Sequence, residues 1–220
     1  MNKKFYTVFL AVILTTSYAQ AQPTFGVRTG FSLTCFGGNN INYENAKMKP
    51  GFQIGVVGEF GFSESFVIQP GILFATQGAK ADFSYISYIG GSWIGEKTLN
   101  LNYLQVPINA LYKIDLGDMK LFVQAGTYFG IAISGKVKEK LTGGGGTFKN
   151  DIVFGSGYGE MKRMDLGIGL GTGLQFGNIQ AGFSYNLGLI NLMNLSAHPD
   201  FSMTNNGMAL TVTYMFGKKE

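Results

Sequence analysis

Residues 163–176 read Arg-Met-Asp-Leu-Gly-Ile-Gly-Leu-Gly-Thr-Gly-Leu-Gln-Phe, and this stretch decides the fold. Met164, Leu166, Ile168, Leu170, Leu174 and Phe176 alternate with Arg163, Asp165, Gly167, Gly169, Gly171, Gly173 and Gln175. A period of two places one set on each face of a β-strand. One face is apolar and the other is mostly glycine. A soluble eight-stranded barrel of the lipocalin kind turns its apolar face inward and needs a charged exterior. The glycine face is too poor in charge for that duty. It suits a narrow interior, with the apolar face turned to lipid.

The same alternation recurs on both sides of this stretch. Phe25, Val27, Thr29, Phe31 and Leu33 share one face of 24–35, and Phe52, Ile54, Val56, Gly58 and Phe60 one face of 51–61. Phe66, Ile68, Pro70, Ile72 and Phe74 do so in 65–76. In 119–133 the apolar set runs from Leu121 to Ile133 at every second position. Segments 179–189 and 207–216 repeat the pattern around Phe183, Tyr185, Leu210 and Tyr214. In 99–114 the apolar set starts on Leu99, Leu101 and Tyr103, then moves to Leu104, Val106 and Ile108. That phase change beside Pro107 predicts a β-bulge, because proline cannot donate to a ladder.

Eight strands of about ten residues are what a transmembrane barrel needs. The connectors at 61–64, 115–118 and 177–178 are short, whereas 35–50, 77–98, 134–162 and 190–206 are long. Short and long alternate, as do the periplasmic turns and extracellular loops of outer-membrane barrels. The expected fold is all-β: an eight-stranded antiparallel up-and-down transmembrane β-barrel preceded by a cleaved signal peptide.

The signal is the N-terminal stretch. Lys3 and Lys4 precede an apolar run from Phe5 to Leu14, and Ala19-Gln20-Ala21 has the small-x-small form of a cleavage site. A run of that length covers about half of a ~30 Å hydrocarbon core, so it reads as a signal and not an anchor. Residues 1–21 are therefore assigned as signal peptide and 22–220 as the barrel domain.

Composition excludes other classes. Charged residues are 14% of the 220, against about 25% in a typical soluble domain, and glycine numbers 33. One cysteine, Cys35, and one histidine, His198, leave no disulfide framework and no multi-Cys or multi-His metal centre. A net charge of +4, scattered along the chain, gives no nucleic-acid footprint.

Several stretches resemble one known family, the small outer-membrane β-barrel proteins of Bacteroidota, called porin-like or PorT-type. Gln69-Pro70-Gly71-Ile72-Leu73-Phe74 followed by Gln77-Gly78-Ala79 is similar to its third strand. Leu101-Asn102-Tyr103-Leu104-Gln105-Val106-Pro107-Ile108 resembles its Tyr-Leu-x-(Ile/Val)-Pro strand. Asp165 to Gly171 resembles its Asp-x-Gly-x-x-x-Gly strand, and Tyr185 to Asn191 its Tyr-x-x-Gly-Leu-x-Asn ending. The resemblance spans about residues 22–217. It implies integral outer-membrane location, export through the periplasm and the barrel fold. It implies no single biochemical role.

Arg28, Glu59, Lys120, Arg163 and Asp165 fall on the predicted inward face, where charge is tolerated only when paired. They read as a lumen charge network that plugs and stiffens the barrel. Glu59 and Asp165 also make an acid pair of the glycosidase kind conceivable, but nothing in the sequence positions a substrate. His198 reads as a loop residue and Cys35 as an ordinary thiol. Gly143–Gly146 lacks the Gly-Lys-Ser/Thr continuation of a phosphate loop and reads as a surface loop. Phe83, Tyr85, Tyr88 and Trp93 make the second long loop aromatic, as an extended strand with an interfacial girdle or as a binding patch. Lys136, Lys138 and Lys140 alternate with Val137 and Leu141, as a solvated strand extension or a contact for lipopolysaccharide phosphates.

No catalytic residue, cofactor or metal ligand is assigned. The expected function is a non-enzymatic outer-membrane barrel with long extracellular loops for binding or envelope structure. A narrow small-solute pore, or an accessory subunit of a secretion or uptake complex, is the alternative. The expected partners are outer-membrane lipid and lipopolysaccharide, the barrel-assembly machinery during insertion and an envelope protein, with no nucleic acid. An Arg or Lys at Leu166 or Ile168 tests the lipid face, and one at Gly167 the lumen.

Overall fold

The computed structural model describes residues 23–38, 46–86, 92–142, 146–194 and 202–217. The signal peptide assigned to 1–21, together with Tyr88, Gly143 to Gly145 and His198, lies outside the described residues. The strands are β1 (Thr24–Gly37), β2 (Ala46–Gly61), β3 (Phe66–Ile86), β4 (Ser92–Asp115), β5 (Lys120–Leu141), β6 (Thr147–Asp151), β7 (Met164–Phe176), β8 (Ile179–Gly188) and β9 (Thr204–Phe216).

Neighbours pair antiparallel in the order β4-β3-β2-β1-β9-β8-β7-β5-β6, and β4 also pairs with β5. Eight strands thus close into a ring, with β1 joined to β9 from Phe25↔Phe216 to Gly37↔Thr204. β6 is a short addition that pairs with β5 alone, above the ring. Closure leaves no free strand edge within the ring, the condition for crossing lipid.

The faces are as the alternation predicts. Ile54, Val56, Ile108, Ile168, Leu170 and Val212 point outward and are exposed, Leu170 by 68%. Such a surface is unsuited to water and matches the apolar band of a membrane barrel. The inward face carries Arg28, Gln69, Gln105, Gln175, Gln180 and Thr213, all buried.

Three expectations need correction. First, no bulge lies at Pro107. The register is the same on both sides of it, with Pro70↔Ile108 and Leu73↔Gln105 on one edge and Pro107↔Tyr128 on the other. The β4 faces never switch. Leu101 and Tyr103 are apolar and yet inward, because they belong to an apolar plug inside the barrel. The β4–β5 register shifts between Asn102 and Tyr103, where Ile133 of β5 has no partner.

Second, the connector placed at 77–98 is mostly strand, in line with the extended-strand reading of its aromatics. β3, β4 and β5 have 21, 24 and 22 residues, whereas β7, β8 and β9 have 13, 10 and 13. Tyr85 and Trp93 are cross-strand partners in this extension, and Lys136, Lys138 and Lys140 lie on β5.

Third, Gly167, the position expected to probe the lumen, faces an aromatic ring and not open space. Tyr128 lies opposite Gly167 and Phe122 opposite Gly173. A β-carbon at Gly167 would land on the Tyr128 ring, and one at Gly173 on the Phe122 ring. The aromatic rings of β5 occupy the room that β7 glycines provide. Gly167 is therefore no tolerant probe of the lumen.

Ile168→Arg places a cation in the lipid-facing band and is expected to cost about 2–4 kcal/mol near the bilayer midplane. Urea unfolding of the refolded chain in phospholipid vesicles measures it. Gly167→Val is also expected to destabilise, by collision with Tyr128, so only the arginine loss should shrink in a thinner bilayer.

Candidate functional site

The lumen is built in layers, starting at the end of the short turns. Glu59, two residues before the end of β2, is 4% exposed. Its carboxylate accepts from Lys113 Nζ at 2.8 and 2.9 Å, Gln69 Nε2 at 3.1 Å and Gln180 Nε2 at 2.6 Å. Gln69 Nε2 also donates to Gln180 Oε1 at 3.1 Å. Arg28 donates from Nη2 to Gln69 Oε1 and from Nε to Thr213 Oγ1, the latter at 2.9 Å. Gln180 Nε2 reaches Gln175 Oε1 at 3.4 Å, and Gln175 Nε2 donates to Gly177 O in the β7–β8 turn. Residues from β1, β2, β3, β4, β7, β8 and β9 are thereby tied across the barrel. A buried ion pair survives because its remaining donors and acceptors are also satisfied.

Above this layer the lumen holds two small polar cavities of about 50 and 30 Å³. Both are lined by Gln53, Gln77, Gln105, Tyr128 and Asn186. A water needs about 10–15 Å³ of such space and two to four polar partners, so these volumes suit a few waters each. Gln77 Oε1 is buried there with no protein partner.

The next layer surrounds Asp165, which is 0% exposed. Its Oδ2 accepts from Asn205 Nδ2 at 3.0 Å and from Tyr128 Oη at 3.3 Å. Asn205 Nδ2 also reaches Tyr103 Oη at 3.3 Å. Asp165 Oδ1 and Asn205 Oδ1 have no hydrogen-bond partner among the described residues. No salt bridge to Asp165 occurs among the described residues.

The mouth at the end of the long connectors is closed by apolar side chains. Phe36, Ala79, Leu101, Tyr103, Ala132, Met161, Leu192 and Met203 form one buried cluster, with Ile152, Phe154 and Met193 packed on it. Met161, Leu192 and Met203 come from the two long connectors after β5 and β8. Backbone bonds lace these connectors together: Lys162 N donates to Leu192 O at 2.7 Å and Leu192 N to Met203 O at 2.8 Å. Each fully buried side chain of this size contributes about 1.5–3 kcal/mol to keeping the lid shut.

The five charges expected in one lumen network separate. Arg28 and Glu59 share the lower layer, linked through Gln69. Asp165 belongs to the upper layer, apart from them. Lys120 is in phase with the lumen but stands at its mouth, where it pairs with Asp115 at 3.3 Å. Asp115 is held below the usual carboxylate range first by the Gly117 N–H and then by Lys120. Arg163 is exposed at the start of β7, where it donates to Ala132 O and covers the Phe154 ring at 4.7 Å. Lys120 and Arg163 fail to join because strand ends let a long cationic side chain reach water or a carbonyl.

Sequence reasoning missed Lys113, the direct partner of Glu59. The signal was present, since Lys113 alternates with the outward Tyr112 and Ile114. It also missed Gln69, Gln180, Tyr103 and Asn205, whose roles depend on ring closure. Cys35 is a half-buried free thiol near the end of β1.

A family model described as "Outer membrane protein beta-barrel domain" matches residues 18–194. Among solved structures, the crystal structure of Ail, the attachment invasion locus protein of Yersinia pestis, is 14% identical. It covers 89% of this chain and 100% of its own, with a TM-score of 0.40. The crystal structure of Neisserial surface protein A is 13% identical, with the same shares and a TM-score of 0.44. No curated protein matches the chain.

Glu59→Gln takes away the carboxylate that accepts from Lys113, Gln69 and Gln180 and is expected to cost about 3–5 kcal/mol. Asp165→Asn removes a charge that no cation balances and offers an amide donor to the unpartnered Asn205 oxygen. It is expected to stay within about 1 kcal/mol of the native chain. Urea midpoints of the two variants in the same vesicles test the contrast.

Proposed function

The chain belongs to the outer-membrane protein β-barrel domain family, and on that premise we propose that it is a sealed anchor for an extracellular β-sheet. It is an integral outer-membrane protein. One observation carries the rest: the barrel is closed inside while three of its strands run far past the membrane. A strand needs about 9–11 residues to cross, and β4 has 24. Roughly half of β4 therefore projects, between β3 and β5 of similar length.

The reading is non-enzymatic. Glu59 is engaged by Lys113, Gln69 and Gln180, and Asp165 sits beneath the apolar lid. The projecting sheet is the part left to bind a surface ligand or an envelope protein, which includes an accessory role in a secretion or uptake complex. A narrow pore is the weaker reading, because the lid blocks one mouth and the Glu59 layer narrows the other. The finer assignment, a PorT-type small barrel of Bacteroidota, rests on the strand stretches around Gln69, Tyr103, Asp165 and Tyr185. Residues 1–21 act in this reading as the export signal, and the barrel-assembly machinery inserts the mature chain.

Planar-bilayer recording of the refolded chain is expected to show no reproducible current steps. A mobility difference between heated and unheated samples on a gel first establishes that the barrel has folded. An epitope inserted between residues 86 and 92 is expected to be reached by antibody on intact cells. Regular current steps from folded protein overturn the sealed-anchor reading in favour of a pore. An epitope that antibody cannot reach overturns the placement of the sheet.

A further inference from the structure

Five strands of the projecting sheet bring lysines into one cross-strand row. Lys47 of β2 lies opposite Lys80 of β3, and Lys80 opposite Thr98 of β4. Thr98 lies opposite Lys138 of β5, and Lys138 opposite Lys149 of β6. Directly opposed residues share a face, so these side chains stand together. The rows on either side add Lys140, opposite Glu96, and Lys136, opposite Asn100. The face is the outer one, because Thr98 is in phase along β4 with Leu104, Val106 and Ile108 of the lipid-facing band.

The acids on this face do not balance the lysines. Lys47 pairs with Asp82 at 2.8 Å, Lys80 with Glu96 at 3.6 Å and Lys136 with Asp151 at 4.0 Å. Lys138, Lys140 and Lys149 are exposed and form no salt bridge among the described residues. Lys138 and Lys149 even face each other directly. Like charges in that position weaken a sheet, and an anion between them reverses the sign.

Height selects the anion. Below the lysine row the last apolar outward residues are Phe74 of β3, Leu104 of β4 and Ile133 of β5; Lys138 lies five residues above Ile133, and Thr98 six residues above Leu104. At about 3.4 Å per residue and a tilt near 40°, that is ~15 Å along the membrane normal. The headgroup zone of a phospholipid leaflet is only about 5–8 Å deep. The middle of the lysine row, at Thr98 and Lys138, therefore stands above phospholipid phosphates, at the level of a sugar layer.

We propose that the cross-strand row Lys47–Lys80–Lys138–Lys149, with Lys136 and Lys140, is a binding site for the phosphorylated sugars of an outer-leaflet glycolipid. The inference rests on the sealed-anchor reading and names one ligand class for its projecting sheet.

The test titrates the full refolded chain, in zwitterionic detergent, with rough-type lipopolysaccharide that keeps its phosphorylated inner core. Loss of one surface lysine is expected to weaken binding about fivefold, and Lys138→Gln/Lys140→Gln/Lys149→Gln about 100-fold. The same lipopolysaccharide stripped of phosphate should bind the native chain as weakly as the intact form binds the variant. Lys120→Gln, at the opposite end of the barrel, should bind as the native chain does. Equal affinity of native and triple-variant chains overturns the proposal. So does equal affinity for the phosphate-stripped lipid, a comparison that needs no variant. Phosphatidylglycerol or soluble polyphosphate binding as tightly as the lipopolysaccharide overturns the assignment to a sugar layer. Heat-modifiable mobility is recorded for every sample, so that a failed lipid assay with folded protein leaves the sealed-anchor reading standing.

Discussion

The ladder between β1 and β9 joins the two ends of the barrel, and the other features of the molecule depend on that closure. Inside hydrocarbon no water is available to satisfy a free backbone N–H or C=O. Pairing from Phe25↔Phe216 to Gly37↔Thr204 removes the last open edge. Once the ring is closed, strand alternation gives each residue one of two environments. Ile168 and Leu170 meet lipid, and Asp165 and Gly167 meet the interior. An eight-stranded ring encloses little more than side-chain volume. The interior must then be filled, and its charges must be compensated within it.

The filling follows from this shortage of room. Glycines on β7 make space for rings from β5, so that Tyr128 covers Gly167 and Phe122 covers Gly173. Charge sits where several strands can share the work of holding it. Glu59 takes donors from β3, β4 and β8, and Arg28 connects to the same cluster through Gln69. Asp165 follows a different solution: a hydroxyl and an amide donor, no cation among the described residues, and a lid of apolar side chains above it. The lid makes the end of the long connectors apolar inside, and the outside of the long strands there carries more lysines than acids.

Much of this was legible in the chain. Period-two alternation around Ile54, Ile168 and Leu210 gave the strands and their lipid face. The order of short and long connectors gave the up-and-down topology. The inward phase of Arg28, Glu59 and Asp165 was also readable, because phase is a local property of a strand. Lys113 was equally readable from its place between Tyr112 and Ile114.

Other features were decided only in three dimensions. Leu101 and Tyr103 look outward-facing by composition, yet they point inward, because connectors far along the chain bring Leu192 and Met203 down onto them. Lys120 and Arg163 have the right phase for the lumen but stand at strand ends, where solvent and carbonyls satisfy them. The extension of β3, β4 and β5 beyond the other strands and the row from Lys47 to Lys149 depend on cross-strand register. The sequence by itself therefore determined which face of each strand a residue occupies, since that needs only the pleat of the backbone. Tertiary structure alone decided which residues meet, since register and ring closure set distances between positions as remote as Arg28 and Thr213.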